Sequence, residues 1–552
     1  MAGTELSDRW DEEVDFVSVG SGAGGLSAAI TADEHGLSAV VLEKASVVGG
    51  VTAVSYGLVW APAGSLEAAA GGEESPDAAS CFRYITWLGA GLSDETLLRN
   101  YLHHMPRVLN FLQEKAGVRW HVSTKMADAF WPTHDDACRA GRLVEVEPFP
   151  ASSLGEWVDK VRTTPHINYR VTLEDWGSPA NAERSARVER RLENDERCMG
   201  PGLVGYLVKN VLDRKIPIHT DTRVEELIVD DNRVIGVKAT RAGREFRVRA
   251  RRGVLLATSG IDWNADLVKQ YHHHLDARAV VPREITGDHI PLAGRVGAKI
   301  ASVIPWTQFL GLHVPGEQFE GDDLWRQASD AMGRPHALVV NRAGRRFADE
   351  SFGASVDNAL EVFDGVTQTR ANVPCWMILD SQFTEKYPLG AIPPGQGFPD
   401  GFAIQADTLR ELAAAAGIDA DGLEDQIERL NGYARDGHDP DFGRGEKPYS
   451  QMVGDVDYLN PNLGTVEKAP FYAIPLSIVT TGISTVGLAA DTHARVMTYD
   501  DEPIAGLYVA GNSMAWLETM AGYQPGMAVG RGLIYGHLAA RDAADSVPEA
   551  KR

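Results

Sequence analysis

The chain is poor in cysteine, in basic charge and in long apolar runs. Four cysteines, Cys81, Cys138, Cys198 and Cys375, are scattered over 552 residues with no Cys-x-x-Cys spacing. A disulfide framework is thereby excluded and a thiolate zinc site is not expected. Free thiols suit a reducing compartment, so a cytoplasmic location is expected. Lysine and arginine total 53 against 77 aspartates and glutamates, a formal net charge of −24. General nucleic-acid binders cluster cations against phosphate, so no nucleic-acid partner is expected. No apolar run reaches the roughly 18 residues of a membrane-spanning helix, and no transmembrane segment is expected. The opening "MAGTELSDRWDEEVD" has no basic stretch followed by an apolar one, so no secretory signal is expected. "YHHHLD" at 271–276 puts three histidines side by side, which cannot share one helix face. It reads as solvated surface, and no metal is expected.

What is present is a β-α-β unit at the start. "VDFVSVG" reads as a buried strand, "SGAGGLSAAITADEHG" as a glycine turn opening an alanine-rich helix, and "LSAVVLEKA" as a second strand ending in Glu43. Gly20, Gly22 and Gly25 form Gly-x-Gly-x-x-Gly between strand and helix, with Gly24 inside the motif. Such glycines permit a tight turn and close approach of the backbone to a pyrophosphate, on which the helix N-terminus acts with free N–H groups and positive dipole. An acid about 20 residues further on, here Glu43, can hold the ribose hydroxyls. These residues predict a dinucleotide site.

Further along, "SDETLLRNYLHHMPRVLNFLQEK" has helical spacing of apolar residues and a cap signal at Ser93. Residues 65–120 read as mostly helical, and 121–197 have poor periodicity. "GLVGYLVKNVLDRK" predicts a helix, and the alternating segment that follows it predicts antiparallel strands ending in "GVLLATSG". Residues 281–468 have longer loops and more proline and glycine, which predicts an inserted domain. The expected organisation is therefore 1–280 with a helical insert at about 62–200, then 281–468 as the insert domain, then 469–552 returning to the first domain.

The motif alone does not choose between NAD and FAD. "EKASVVGGVTAVSYGLVWAP" resembles the stretch after the ribose acid in flavoproteins of the fumarate reductase and 3-ketosteroid dehydrogenase superfamily. "GVLLATSG", "TGDHIPLAGRVGA", "LVVNRAGRRFADES" and "PIAGLYVAGN" resemble later segments of that family, in its order. The resemblance implies an α/β fold: a discontinuous Rossmann-type FAD-binding domain, GR2-like, with an inserted α+β capping, catalytic domain. It implies FAD held by Gly20, Gly22, Gly24, Gly25, Glu43, Lys44, Gly49, Gly50, Thr52, Ala53, Ser55 and Gly57. Val224, Ser259, Gly260, Gly511, Asn512, Gly526, Ala528 and Val529 complete the implied set. No histidine lies between Glu43 and Trp60, where respiratory members attach flavin, so FAD is expected to be non-covalent.

Within the family, fumarate reductases bind a dicarboxylate with cationic groups, since buried carboxylates without cations carry a heavy desolvation cost. Here "YAIPLSIVTTG" has no histidine, Gln524 and Pro525 stand where an arginine is expected, and Arg334 is out of register. The 3-ketosteroid dehydrogenases instead grip a ketone oxygen with a tyrosine hydroxyl and a glycine N–H, which stabilise the developing enolate. "YQPGMAVG" resembles that segment with one residue fewer, and implies Tyr523 and Gly526 as the pair. The tyrosine base that steroid enzymes carry after "RF-x-x-E-S" is missing, because Phe352, Gly353 and Ala354 follow here. A cyclohexanone dehydrogenase in this branch takes its tyrosine from an earlier segment, which makes Tyr206 the first candidate base and Tyr169 the second. Phe130, Trp131 and Tyr472 are expected in the substrate pocket. The expected activity is FAD-dependent α,β-desaturation of a cyclic ketone of cyclohexanone type, with an external electron acceptor. A 3-ketosteroid 1-dehydrogenase, an enone or fumarate-type reductase and an FAD-binding protein without activity stay open as alternatives.

Overall fold

A computed structural model describes residues 9–66, 75–176, 182–304 and 308–546. The expected helical insert includes 67–74, which lie outside the described residues.

β1 (Glu12–Val19), α1 (Ala23–Glu34) and β2 (Ala39–Leu42) form the initial unit, and both strands bury apolar residues on both faces. They sit in an eight-stranded sheet. Strands Pro503–Val509, Arg244–Leu256, β1, β2 and Ile218–His219 run parallel in that spatial order. Val509, Leu256, Val19 and Leu42 lie in register, so the carboxyl ends of four strands open on one crevice. In doubly wound sheets that crevice is where nucleotides bind. Thr222–Asp230, Arg233–Arg241 and Arg244–Leu256 form an antiparallel meander on the sheet.

The C-terminal helix Met527–Asp545 packs lengthwise on α1. Glycine makes this possible: a Cβ on Gly536 would lie 2.2 Å from the Gly24 carbonyl oxygen. The close seam brings the first turns of both helices to the same crevice.

A second sheet of seven strands builds the inserted domain. Its path is Asp322–Gln327, Gln308–Phe319, Phe471–Thr480, Cys375–Asp380, Ala337–Asn341. Alternation assigns its two faces: Leu338, Val340 and Ile378 pack with Leu423 and Ile427 of helix Ala420–Asp436, whereas Val339, Met377 and Leu379 pack with Val356 and Leu360 of helix Gly353–Leu360. Arg278–Ala279 also pairs with Phe471–Thr480. The sheet thus closes with residues 278–279 and 471–480, so the expected borders at 281 and 468 each cut off one of its strands.

Two local expectations are corrected. The long helix Glu95–Ala116 is capped by Asp94, whose carboxylate accepts from Leu97 N at 3.0 Å, rather than by Ser93. The histidine run is not a solvated surface: His272 and His274 are buried and only His273 is exposed. The chain bends there, and His274 meets Glu361 at 3.1 Å.

Candidate active site

One cavity of about 560 Å3 runs from Glu43 at the sheet crevice to Phe130 and Phe352 under the inserted domain. Its two halves are built differently.

The sheet half is lined by Gly20, Gly22, Gly24, Glu43, Lys44, Gly50, Thr52, Ser55, Gly57, Val224, Ser259, Gly511, Asn512, Ala528 and Val529. Glu43 is buried and accepts from Ser21 N at 3.0 Å, from the Ser21 hydroxyl and from Ala45 N at 2.8 Å. A carboxylate has about four acceptor positions, so one is left for a ligand hydroxyl. Burial pushes its pKa up, against the hydrogen bonds. Asn512 Oδ1 and Thr481 Oγ1 are buried on the cavity wall with no hydrogen-bond partner, although Asn512 Nδ2 donates to Gly482 O at 2.7 Å. Thr52 Oγ1 accepts from Ala23 N at 3.0 Å and ties its loop to the turn of α1. First-turn N–H groups of a helix have no carbonyl partner within the helix, and both converging helices present theirs here. An open acid, two orphaned polar atoms and two helix N-termini fit a dinucleotide such as FAD.

Gly25, Gly49, Ala53 and Gly260 are not on the wall. Each packs behind it: a Cβ on Gly25 would stand 1.8 Å from Gly20 O, one on Gly49 would meet Ala53 Cβ at 2.7 Å, and one on Gly260 would meet Asp262 at 2.6 Å. Lys44 is on the wall but committed, donating to Glu284 O, Thr286 Oγ1 and Asp288 Oδ2.

Tyr523 and Gly526 stand where the halves meet. Gly526 caps the C-terminal helix with φ +95°, and a Cβ there would be 2.6 Å from Trp60 N. Only glycine fits. Trp60 is fixed from behind: its Nε1 donates to Asp128 at 2.8 Å, Tyr101 Oη donates to its carbonyl at 2.7 Å, and Asp128 is paired with Arg142 at 2.7 Å. Gln524, fully buried, accepts at Oε1 from Tyr84 Oη at 2.8 Å and from Ala129 N at 3.3 Å. That locks the turn carrying Tyr523. Burial pushes the Tyr523 hydroxyl well above the ordinary phenol range, so it is a neutral donor.

The other half is aromatic. Phe130 lines it and meets Phe352 edge-on at 5.0 Å and Trp87 at 5.4 Å. Polar residues reach this side too: Asp357, buried in the helix Gly353–Leu360, and three others, Tyr56, Tyr449 and Asp330. Asp330, in the helical turn Ser329–Met332, is surrounded by protein yet open to the cavity. Among the described residues its carboxylate has no hydrogen-bond or ion-pair partner. Tyr449, on the turn Pro448–Gln451, packs on Phe352 at 6.4 Å. None of these last three was singled out from the sequence. Tyr56 could have been, since it sits in the "GGVTAVSYG" segment; Tyr449 and Asp330 lie in stretches with no motif.

Several expected residues lie elsewhere. Tyr206, the first candidate base, accepts from Arg119 Nε at 3.0 Å and packs on Phe149 at 4.8 Å, behind the wall. Tyr169 is off the cavity, under the Arg170 guanidinium at 4.8 Å. Neither is placed to reach a substrate. Trp131 faces Arg139, and Tyr472 packs on Phe398 at 5.0 Å within the inserted domain, so neither lines the pocket.

Among the described residues, every basic side chain on the wall is engaged or neutral. Lys44 is bonded as above. Arg162 pairs with Glu284 at 3.1 Å and with Glu320. Burial pulls His166 down to about 4. Off the wall, Arg531 of the C-terminal helix is buried against Glu518 and donates to Ala515 O at 2.7 Å.

The family model described as FAD binding domain matches residues 15–530. A 3-oxosteroid 1-dehydrogenase of Mycolicibacterium smegmatis is 32% identical, with 98% of this chain and 99% of that one covered. A 4-oxocyclohexanecarboxylate 2-dehydrogenase of Sinomonas cyclohexanicum is also 32% identical, covering 96% of this chain and 92% of its own. The crystal structure of 3-ketosteroid delta1-dehydrogenase from Sterolibacterium denitrificans, with 1,4-androstadiene-3,17-dione, superposes with a TM-score of 0.86 at 28% identity. It covers 97% of this chain and 99% of that one.

Proposed function

The chain belongs to the FAD-binding family of fumarate reductases and 3-ketosteroid dehydrogenases, and from that premise we propose that it desaturates a neutral cyclic ketone of cyclohexanone type. It is an FAD-dependent oxidoreductase of CH–CH bonds, in the branch of its 3-oxosteroid and 4-oxocyclohexanecarboxylate relatives. The observation that carries the finer reading is the meeting of Tyr523 and Gly526 at the border of the two halves, with no unengaged cation on the described wall.

The ring oxygen sits between the Tyr523 hydroxyl and the Gly526 N–H. Both are neutral donors held rigidly, by Gln524 and by Trp60 respectively. Such donors act more strongly on an enolate oxygen than on a ketone, and one of them is worth about 10^2 to 10^3 in rate. The aromatic half excludes water from the ring carbons. FAD, held non-covalently by the sheet half, would supply the two-electron oxidant for the β-hydride, and an external acceptor would reoxidise it.

Lack of an available cation weighs against carboxylate substrates, because a buried unpaired carboxylate is strongly disfavoured. That separates this reading from fumarate and from the acid of the Sinomonas relative. One cavity must hold dinucleotide and substrate together, and about 560 Å3 lies within the roughly 300–1,000 Å3 of single-ligand pockets. This favours a small ring. The 32% identity over nearly the full length of the M. smegmatis enzyme supports a second reading, a 3-ketosteroid substrate.

Anaerobic mixing of the FAD-loaded protein with cyclohexanone, 4-oxocyclohexanecarboxylate and a 3-ketosteroid tests this. Flavin bleaching is expected with cyclohexanone and not with the acid. Bleaching by the steroid alone would select the second reading, and bleaching by none would defeat both.

A further inference from the structure

Desaturation needs an acceptor for the α-proton, and the places expected to supply one do not. Phe352 and Phe130 present bare rings to the cavity, and Tyr206 and Tyr169 are off it. Two carboxylates line this side, Asp357 and Asp330. Asp357 is buried in the helix Gly353–Leu360, whereas Asp330 is open to the cavity and its charge acts on two phenols, Tyr449 and Tyr56. Among the described residues none of the side chains of Asp330, Tyr449 and Tyr56 has a hydrogen-bond partner, so their polar atoms are available to the cavity. Tyr449 leans its ring on Phe352, so its hydroxyl arises from the Pro448–Gln451 turn next to the position where the resemblance expects the base.

Resting on the desaturase reading, we infer that Asp330 is the acceptor of the α-proton and that the Tyr449 hydroxyl carries the proton to it. The α-C–H bond breaks as its proton moves to Tyr449 Oη. In the same step the phenolic proton passes to the Asp330 carboxylate. The electron pair left behind forms the enolate held by Tyr523 and Gly526, then the new double bond as the β-hydride leaves to FAD. Asp330 afterwards returns its proton to solvent through the cavity.

The electrostatics agree. Burial pushes Tyr449 up to about 12, helped by the charge of Asp330, so the phenol alone is a poor base near neutral pH. Asp330 is also raised by burial, with Arg334 opposing, yet a carboxyl remains far more acidic than a phenol. The charged or titratable groups facing Asp330 are Arg334 from its own segment, Tyr56 from the loop after Thr52, and Tyr449. Tyr449 also lies near enough to Tyr523 for its charge to raise that phenol further. Tyr56, its ring tilted against Trp176 at 5.2 Å, is the competing relay.

The test is exchange of the α-hydrogens of cyclohexanone with D2O, followed by NMR on the dithionite-reduced, FAD-loaded protein, which cannot take a hydride. The wild type exchanges, with a rate that rises with pH through the Asp330 ionisation. Asp330→Asn and Tyr449→Phe are each expected to slow exchange by about 10^2 or more. Tyr206→Phe, off the cavity, is expected to stay within about threefold, and Asp330→Glu to recover part of the loss and the pH limb. FAD content and thermal midpoint establish that each variant folds. Exchange by Asp330→Asn near the wild-type rate, or no exchange by a wild type whose oxidised flavin cyclohexanone bleaches, overturns the inference and leaves the desaturase reading standing. Loss in Tyr56→Phe but not in Tyr449→Phe overturns the relay. Absence of bleaching by any ketone defeats the desaturase reading itself.

Discussion

The two halves of the cavity are made by opposite strategies. The sheet half is mostly main chain and glycine, with its charged side chains committed to neighbours, as Glu43 is to Ser21 and Ala45 and Lys44 is to Asp288. The substrate half is side chain: Tyr56, Phe130, Asp330, Phe352, Tyr449 and Tyr523 arrive from six separate stretches to line it. A common cofactor needs a fixed mould, whereas a reaction needs available protons. Tyr523 and Gly526 join the two, and substitutions on either side should separate binding from chemistry.

The largest effect is expected at the junction. Gly526→Ala places a methyl 2.6 Å from Trp60 N at a φ of +95°. Overpacking of this kind costs about 1–3 kcal/mol, and displacement of the oxyanion donor should slow flavin reduction by about 10^3. Urea unfolding and stopped-flow absorbance read the two losses separately. In the sheet half, Glu43→Gln removes a charged acceptor and should weaken FAD binding about tenfold with the reduction rate at saturating FAD unchanged; flavin fluorescence titration measures it. A smaller and opposite pattern is expected from Gln524→Ala. It deletes the acceptor of Tyr84 and Ala129, loosens Tyr523, and should slow reduction several-fold, about 1 kcal/mol, at unchanged FAD affinity.

The smallest effect is on stability and has the sign of a functional compromise. Burial raises the Asp330 pKa above its unfolded value. The folded state therefore holds that proton more tightly, and the resulting stability is full below the unfolded pKa and is lost as pH rises through the folded one. At neutral pH the charged form is a liability, so Asp330→Asn should raise the thermal midpoint above that of the wild type. The gap should close as pH falls below about 4. Differential scanning fluorimetry across pH checks both parts.

This contrast also explains what the sequence made legible. The β-α-β unit, the glycine turn and Glu43 are local, so their spacing in the chain is their spacing in space. Motif resemblance at a single helix start pointed to Tyr523 and Gly526, both of which line the cavity; Gln524 was read there only as the absence of an arginine. The base was not legible. Asp330 and Tyr449 stand in short turns with no periodicity, and only the closing of the seven-stranded sheet over the cavity brings them near Phe352. Tyr206 misled because its helix does start against the Thr52–Ser55 loop, where Gly200 N donates to Ser55 O at 3.1 Å. Two turns later the helix has rotated the phenol toward Phe149 and Arg119. The domain borders slipped for a related reason: one long strand, Phe471–Thr480, belongs by hydrogen bonding to the sheet of residues far before it.

The claim on which the rest depends is that a neutral phenol and a main-chain N–H stabilise charge on a ring oxygen. Its most direct measurement is the rate constant of flavin reduction by cyclohexanone, taken anaerobically for the wild type and for Tyr523→Phe at equal FAD loading. The expected result is a fall of about 10^2 to 10^3, with ketone affinity changed by less than about tenfold. An equal rate in the two proteins would contradict it.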